Sequence, residues 1–370
     1  MKPYSSLGAA LCAVSLIVPP SVFGQSSDSA SKIQLSGYVS ASYFYATEPD
    51  GRVITGRLYD RFSDQFEVNA ARLTIQRSVA ADRREAGFQV DLLYGQNAPQ
   101  IRSAGLSLGD HGDIPQAFVT LNLPTGKDRY LRFAAGKRWT MMDVEYVDEV
   151  LNPNYSHGYP YIYVSNFTDV GLSLEAKLST VVEADVRLIN GWDVVEDNNK
   201  AKSVMGRLGI TPSDKVALSF LAGMGPERAD NVHDNRYVGQ FVGTFKPAQK
   251  TTVYTEFDAG SEEGLAADGG SVSWWSTGLW GVFDVWPKAS VALRGDYLDD
   301  ADGVRTSGVF GFPTADSRQL QSFTATLNIR SWDHALVRPE VRLEHSSRND
   351  FGGGAKANQM TLGLAMSYIF

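Results

Sequence analysis

QMTLGLAMSYIF, residues 359–370, closes the chain. Met360, Leu362, Leu364, Met366, Tyr368 and Phe370 take every second position, and Gln359, Thr361, Gly363, Ala365 and Ser367 fill the gaps with polar or small side chains. Successive side chains of a strand point to opposite faces, so this stretch is a strand with one apolar and one polar face. It runs without interruption to its final Phe. A half-buried strand of a soluble sheet has little reason to do that.

The same alternation recurs along the chain. It begins at IQLSGYVSASYFYAT, where Ile33, Leu35, Val39, Tyr43 and Tyr45 oppose Gln34, Ser36, Ser40 and Ser42. Sixteen strands are predicted, over 33–46, 66–79, 84–95, 114–123, 130–139, 167–178, 181–191, 203–211, 215–224, 236–245, 251–260, 273–285, 289–299, 318–329, 335–346 and 358–370. A missed or merged hairpin would change the count to 14 or 18. Connections after odd-numbered strands run from about 11 to about 27 residues and those after even-numbered strands from about 2 to 7. The short ones carry turn residues, as in Pro124-Thr125-Gly126, Pro212-Ser213-Asp214 and Trp286-Pro287-Lys288. Loops on one edge and tight turns on the other predict an all-β fold, an antiparallel transmembrane barrel with short periplasmic turns and long external loops. A sandwich or propeller gives no such asymmetry.

Residues 1–24 read as an export signal, with Lys2 ahead of the apolar run Leu7–Val18. That run is too short to cross a bilayer as a helix. Residues 25–32 are expected to form a short periplasmic segment, and 33–370 a single barrel. Cys12, the only cysteine, lies in the signal, which excludes disulfides, thiol catalysis and Cys-based metal sites from the exported part. The net charge of −8 argues against nucleic acid as a partner.

Alternation also assigns the faces. Phe88, Val90, Leu92 and Tyr94, or Val182, Ala184, Val186 and Leu188, would face lipid. Between such sets lie Asp91, Arg132, Glu175, Arg187, Arg207, Arg294 and Arg342, with Lys177, Glu183, Asp185, Glu256, Asp258, Asp296, Arg338, Glu340 and Glu344. A charge facing lipid at mid-membrane costs roughly 2–4 kcal/mol, so these side chains belong on the inner face. About sixteen strands enclose an aqueous channel, and the expected function is therefore a pore. Tyr and Trp near strand ends, among them Tyr45, Tyr130, Trp139, Trp274, Trp275 and Tyr368, are expected in aromatic girdles.

The third loop, 140–166, holds Asp143, Glu145, Asp148 and Glu149 and no Lys or Arg. Folded into the lumen, these acids would face Arg72, Arg132 and Arg138 across a constriction with a transverse field and mild cation preference. As a surface loop it would pack Tyr155, Tyr159, Tyr161 and Tyr163 at the rim. A tyrosine track for sugars is the selective alternative, and a plugged structural barrel is the non-conducting one.

The terminal strand resembles the C-terminal signal strand of bacterial outer-membrane barrels, with Tyr368 and Phe370 in the positions the barrel assembly machinery reads. The chain also resembles porins of the OmpL-like β-barrel family. That likeness rests on Asn154-Tyr155-Ser156, on Phe167-Thr168-Asp169-Val170-Gly171-Leu172, on Asn190-Gly191-Trp192-Asp193, and on Asp197-Asn198-Asn199 before Gly206-Arg207-Leu208. Arg138-Trp139-Thr140-Met141-Met142 departs from the expected pattern. The resemblance implies a Gram-negative outer-membrane porin for passive diffusion of small hydrophilic solutes or ions, without a cofactor, as monomer or homotrimer, in contact with lipid and lipopolysaccharide. Two other chemistries have weak signals. Asp193, Glu196, Asp197, Asn198 and Asn199 lack the Gly and terminal Glu of a calcium loop. His345 beside Ser346 and Ser347 is the one adjacent candidate for a hydrolase, and no triad spacing accompanies it.

Overall fold

The computed structural model describes residues 32–313 and 316–370. The export signal expected at 1–24, and the segment behind it up to residue 31, lie outside the described residues. Sixteen strands follow in chain order. The first eight are β1 (Gln34–Ala46), β2 (Gln65–Arg77), β3 (Glu85–Tyr94), β4 (Gly112–Gly126), β5 (Arg129–Trp139), β6 (Thr168–Lys177), β7 (Val182–Trp192) and β8 (Ser203–Ser213). The rest are β9 (Val216–Gly225), β10 (Arg236–Ala248), β11 (Thr251–Glu262), β12 (Val272–Trp286), β13 (Ala289–Asp300), β14 (Arg318–Ile329), β15 (Ala335–Ser346) and β16 (Asn358–Ile369). Each pairs antiparallel with its chain neighbours, and β1 pairs with β16 from Tyr38↔Ile369 to Ala46↔Thr361, closing the barrel. Closure leaves no edge strand, so the ladder is continuous around the wall, interrupted only by local register shifts such as those at Ser40/Ala41 and Asp91/Leu93.

The face assignment holds strand by strand. Leu35, Val39, Leu92, Tyr94, Leu172, Val186, Leu188, Leu343, Leu362, Leu364 and Met366 are exposed on the outer surface, while the ionic side chains alternating with them point inward. The girdle expectation needs four corrections, the first of them Trp192, which lies under Arg236 and packs against buried inward residues of β7–β10. Trp274 is buried on the inner face under the Arg305 guanidinium, Tyr130 faces inward under Arg132, and Trp139 lies under Arg72. A guanidinium over a ring holds each of them inside. Trp275, stacked between Phe257 and Tyr297, stays on the outer face.

Inside the barrel lies a mixed core that alternation cannot reveal. Loop L1 (47–64) turns inward: Ile54 packs with Phe44 of β1, Ala365 of β16 and Tyr155, while Arg57, wholly buried, bonds Asp60, Glu344 of β15 and Thr361 of β16. Loop L3 (140–167) lies beside it, and Tyr59 of L1 reaches the Tyr161 hydroxyl at 3.2 Å. Phe312, from the loop after β13, joins the same cluster. Ala98 and Ile101, from the loop after β3, belong to it too, so aromatic and aliphatic groups from four loops pack against inward residues of β1, β2, β3, β12, β13 and β14.

Candidate channel constriction

L3 begins and ends at one neck, where Thr140 N donates to Phe167 O at 2.9 Å. Met141 and Met142 then pack on Ile189 of β7, Met205 of β8, Leu221 of β9 and Val238 of β10. Asp143 N donates to Gln240 of β10 and Val144 N to Glu256 of β11. Further on, Tyr155 N and Ser156 N donate to Glu340 of β15, and Tyr159 N donates to Asp296 of β13. In the other direction the wall donates to loop carbonyls: Arg294 to Ser156 O, Arg338 to Glu149 O and Asn152 O, and Arg342 to His157 O. An irregular segment removed from water needs a partner for each backbone N–H and C=O. Here the charged rows of β11, β13 and β15 supply them.

This geometry redistributes the residues expected to line the pore. Glu145 is buried and accepts from Arg294 Nη1 at 2.8 Å, from Trp280 Nε1 at 3.2 Å and from Gly158 N at 2.6 Å. Asp148 pairs with Arg72 of β2, which also holds Asp91 of β3 at 2.5 Å. Glu149 accepts from the Tyr38 hydroxyl. Glu145, Glu149, Arg294 and Arg342 are therefore enclosed between loop and wall, because a buried charge must sit against a partner. Of the four acids only Asp148 meets one of the arginines set opposite it in the sequence reading. Tyr155, Tyr159, Tyr161 and Tyr163 are each at most 2% exposed. They pack inside the barrel and not at its rim.

The inner residues that keep contact with solvent lie elsewhere. Gln89 of β3, Phe118 of β4, Arg132 and Arg138 of β5, Lys177 of β6, Glu183 of β7, Arg207 of β8 and Ser219 of β9 are half-buried. Arg132, Glu175, Asp185 and Arg207 stand opposite one another in register and form one rung across β5–β8. Within it Glu175 takes Arg138 at 2.5 Å and Arg132 at 3.4 Å, while Arg187, one step along, holds Asp169 at 2.8 Å and Asp185 at 3.2 Å. On L3 itself Tyr146, Leu151 and Pro153 are half-buried and uncharged; Leu151 packs against the cluster that L3 forms with β12–β14, and Pro153 O accepts from Asn328 of β14.

Asp143, Glu256 and Asp258 bring carboxyl oxygens within 4.8 Å of one another, the spacing of a cation site. The Gln240 amide sits among them and donates to all three, at 3.0, 3.2 and 2.8 Å. Burial lifts the Asp143 carboxyl to about 6, against hydrogen bonds that favour its charged form. The weaker candidates have local roles. Asp193 accepts from Phe167 N and Thr168 N, and Asp197 caps Asn199 N and Lys200 N and pairs with Lys202. His345 is exposed and bonds Asn358, whereas Ser346 is buried against Asp350, so the two face opposite ways.

His157 sits at the centre of L3, wholly enclosed, with Nε2 at 2.8 Å from Tyr146 O and 2.9 Å from Asn152. Burial lowers its pKa from 6.5 to about 4. The packed loop therefore holds a neutral imidazole, and the released loop binds the proton more readily. Stability from this group is present above 6.5 and falls as pH drops from 6.5 towards 4. Asp143, shifted upward, works in the opposite sense between 6 and 3.8. His157→Gln keeps a hydrogen-bonding side chain and leaves Asp143 in place, so comparing the two proteins isolates the imidazole. Thermal unfolding at pH 7 and pH 5 should show a loss in the parent that exceeds the variant's by about 2 kcal/mol; equal losses would exclude His157 as an acid-sensitive element.

Comparison with known proteins places this architecture. The family described as "Putative beta-barrel porin-2, OmpL-like" matches residues 32–370. No curated protein sequence matches the chain. Among solved structures it is similar to an anion-selective porin from Comamonas acidovorans, with a TM-score of 0.62 and 8% identity over 92% of this chain and 99% of that one. It is similar to the outer membrane channel DcaP of Acinetobacter baumannii, with a TM-score of 0.61 and 13% identity over 92% and 97%. OmpT of Vibrio cholerae in its trimer form gives a TM-score of 0.56 and 11% identity over 92% and 99%. At such identities the likeness is one of fold.

Proposed function

Because this chain belongs to the OmpL-like β-barrel porin-2 family, we propose that its outer-membrane channel passes small hydrophilic solutes and ions by diffusion along an off-centre route between L3 and the wall β3–β9. The observation that carries this route is the distribution of solvent contact. Inward side chains of β12–β15 are buried beneath L1 and L3, while Arg132, Lys177, Glu183, Arg207 and Ser219 stay in contact with water. A passage lined this way does its work by shape and field, without covalent chemistry or a cofactor.

Export by residues 1–24, insertion by the barrel assembly machinery through the terminal strand, and contact with lipid and lipopolysaccharide belong to this reading. So does a homotrimer, an arrangement supported by the trimer form of the similar Vibrio cholerae barrel. One observation favours a second reading: two loops, L1 and L3, both enter the lumen, as they would in a plugged structural barrel. Planar-bilayer recording separates the two. Stepwise ohmic currents support the channel, and silence from folded, inserted barrels supports the plug.

A further inference from the structure

Residues 54–60 of L1 are all buried, whereas Asp50, Gly51 and Arg52 just before them are exposed. We propose that this part of L1 is a hinged finger that gates the β15–β16 side of the lumen, with Arg57 as its catch. The gate rests on the diffusion reading above, since its opening is read as current.

The finger is a unit held together by its own backbone. Ile54 N donates to Arg61 O and Ser63 N to Arg52 O, both at 2.7 Å, and Val53 bridges Phe62. At the tip Gly56 takes φ 83°, a left-handed turn that glycine makes without strain. A hairpin built this way keeps its shape when it moves, and the change in φ and ψ falls on a few residues at its root. Here the root lies beside Asp64, whose N donates to Phe44 O at 2.8 Å.

Its hold on the barrel wall is made by side chains. Among the described residues, the one backbone-to-backbone bond from 54–61 to another element runs from Gly56 N to Phe310 O, in the loop after β13, at 2.7 Å. Arg57 supplies the grip on the wall, donating to Glu344 of β15 at 3.0 Å and to Thr361 of β16 at 2.7 Å, and Gln359 of β16 donates to Thr55 O at 3.4 Å. Without Arg57 the two carboxylates it serves fare differently. Glu344 keeps Arg342 and the Tyr159 hydroxyl, each at 3.0 Å, while Asp60 loses the guanidinium that held it at 2.6 Å. The stranded charge is then on the finger, and it is relieved by reaching water. L3 stays in place, because Arg294, Arg338 and Glu340 anchor it separately. Departure of the finger uncovers Thr361 and Gln359, which are 1% and 3% exposed beneath it.

The test combines current with thiol access in the full barrel, whose residues 33–370 hold no cysteine. In planar bilayers the parent should show one main current level with rare excursions to a larger one, and Arg57→Ala should dwell at the larger level. Arg57→Ala with Asp60→Asn, which removes the stranded charge, should return to the parental pattern. Thr361→Cys should react with a charged thiol reagent roughly tenfold faster or more when combined with Arg57→Ala, which is what losing a single hydrogen bond to a charged group gives. Parental currents and unchanged labelling in the Arg57→Ala background would overturn the gate and leave the channel reading intact. Fast labelling in barrels that insert and stay silent would overturn both. Should Arg57→Ala fail to assemble, a barrel with 52–62 replaced by two glycines decides: it should stay at the larger level, and a parental current pattern would overturn the gate.

Discussion

Arg294→Ala should release L3 from the wall and raise single-channel conductance while leaving the barrel assembled. Arg294 is wholly buried and serves as a hub, donating to Glu145 at 2.8 Å, to Asp296 at 2.8 Å, to Thr324 at 3.0 Å and to Ser156 O. Removing it leaves two carboxylates and a loop carbonyl enclosed without their cation. Breaking a buried pair from one side costs about 3–5 kcal/mol. The ladder of β13 with β12 and β14 is made by backbone and survives, so the cheapest relief is for Glu145 to carry the loop into water. Larger, noisier current steps and faster proteolytic cleavage within 140–167 would report this. Arg132→Ala, at the wetted side of the lumen, should leave the loop protected. An Arg294→Ala barrel with parental conductance and an equally protected loop would show that L3 is held by something other than this hub.

Deleting Phe370 should impair assembly without altering the pores that form. Phe370 N donates to Gly37 O and Gly37 N to Phe370 O, both at 3.0 Å, completing the seam between β1 and β16. Its ring also lies over Gly37, so close that a Cβ there would meet Cζ at 2.9 Å. Two lost hydrogen bonds amount to about 2 kcal/mol, or roughly thirtyfold in the closure equilibrium. Like Tyr368, Phe370 is about half exposed on the outer face, away from the passage. The yield of heat-modifiable barrel should fall sharply while single-channel conductance stays at its parental value. A changed conductance would place the terminus in the permeation path.

The fold was legible because membrane barrels are two-faced everywhere. Alternation set the strands, the unequal connections set the edges, and the cost of charge in lipid set which face was which. The seam of β1 with β16 followed from the even strand count and the loop rhythm, which make the terminal strand the sixteenth and set it beside the first. The constriction was legible only in part. That Arg132, Arg207 and Arg294 point inward can be read from parity; that Arg294 ends beneath a loop while Arg207 stays wet cannot, because both sit in the same kind of alternating row. The acids of L3 suggested a field across the pore, yet a loop backbone that leaves water draws its carboxylates and carbonyls to the nearest guanidinium. L1 gave a signal that went unread: Ile54, Leu58 and Tyr59 around Arg57 are more apolar than a loop in water requires, and all are buried.

The central claim is that solutes pass along β3–β9 and not along β12–β15. Gln89→Cys places a thiol on the half-buried inner face of β3, and Thr326→Cys places one on β14 beneath Asn154, where the parent residue is 1% exposed. A charged thiol reagent added to conducting bilayers should reduce the current through the Gln89→Cys barrel and leave the Thr326→Cys barrel unaffected. Block of the Thr326→Cys barrel with the Gln89→Cys barrel spared would contradict the route.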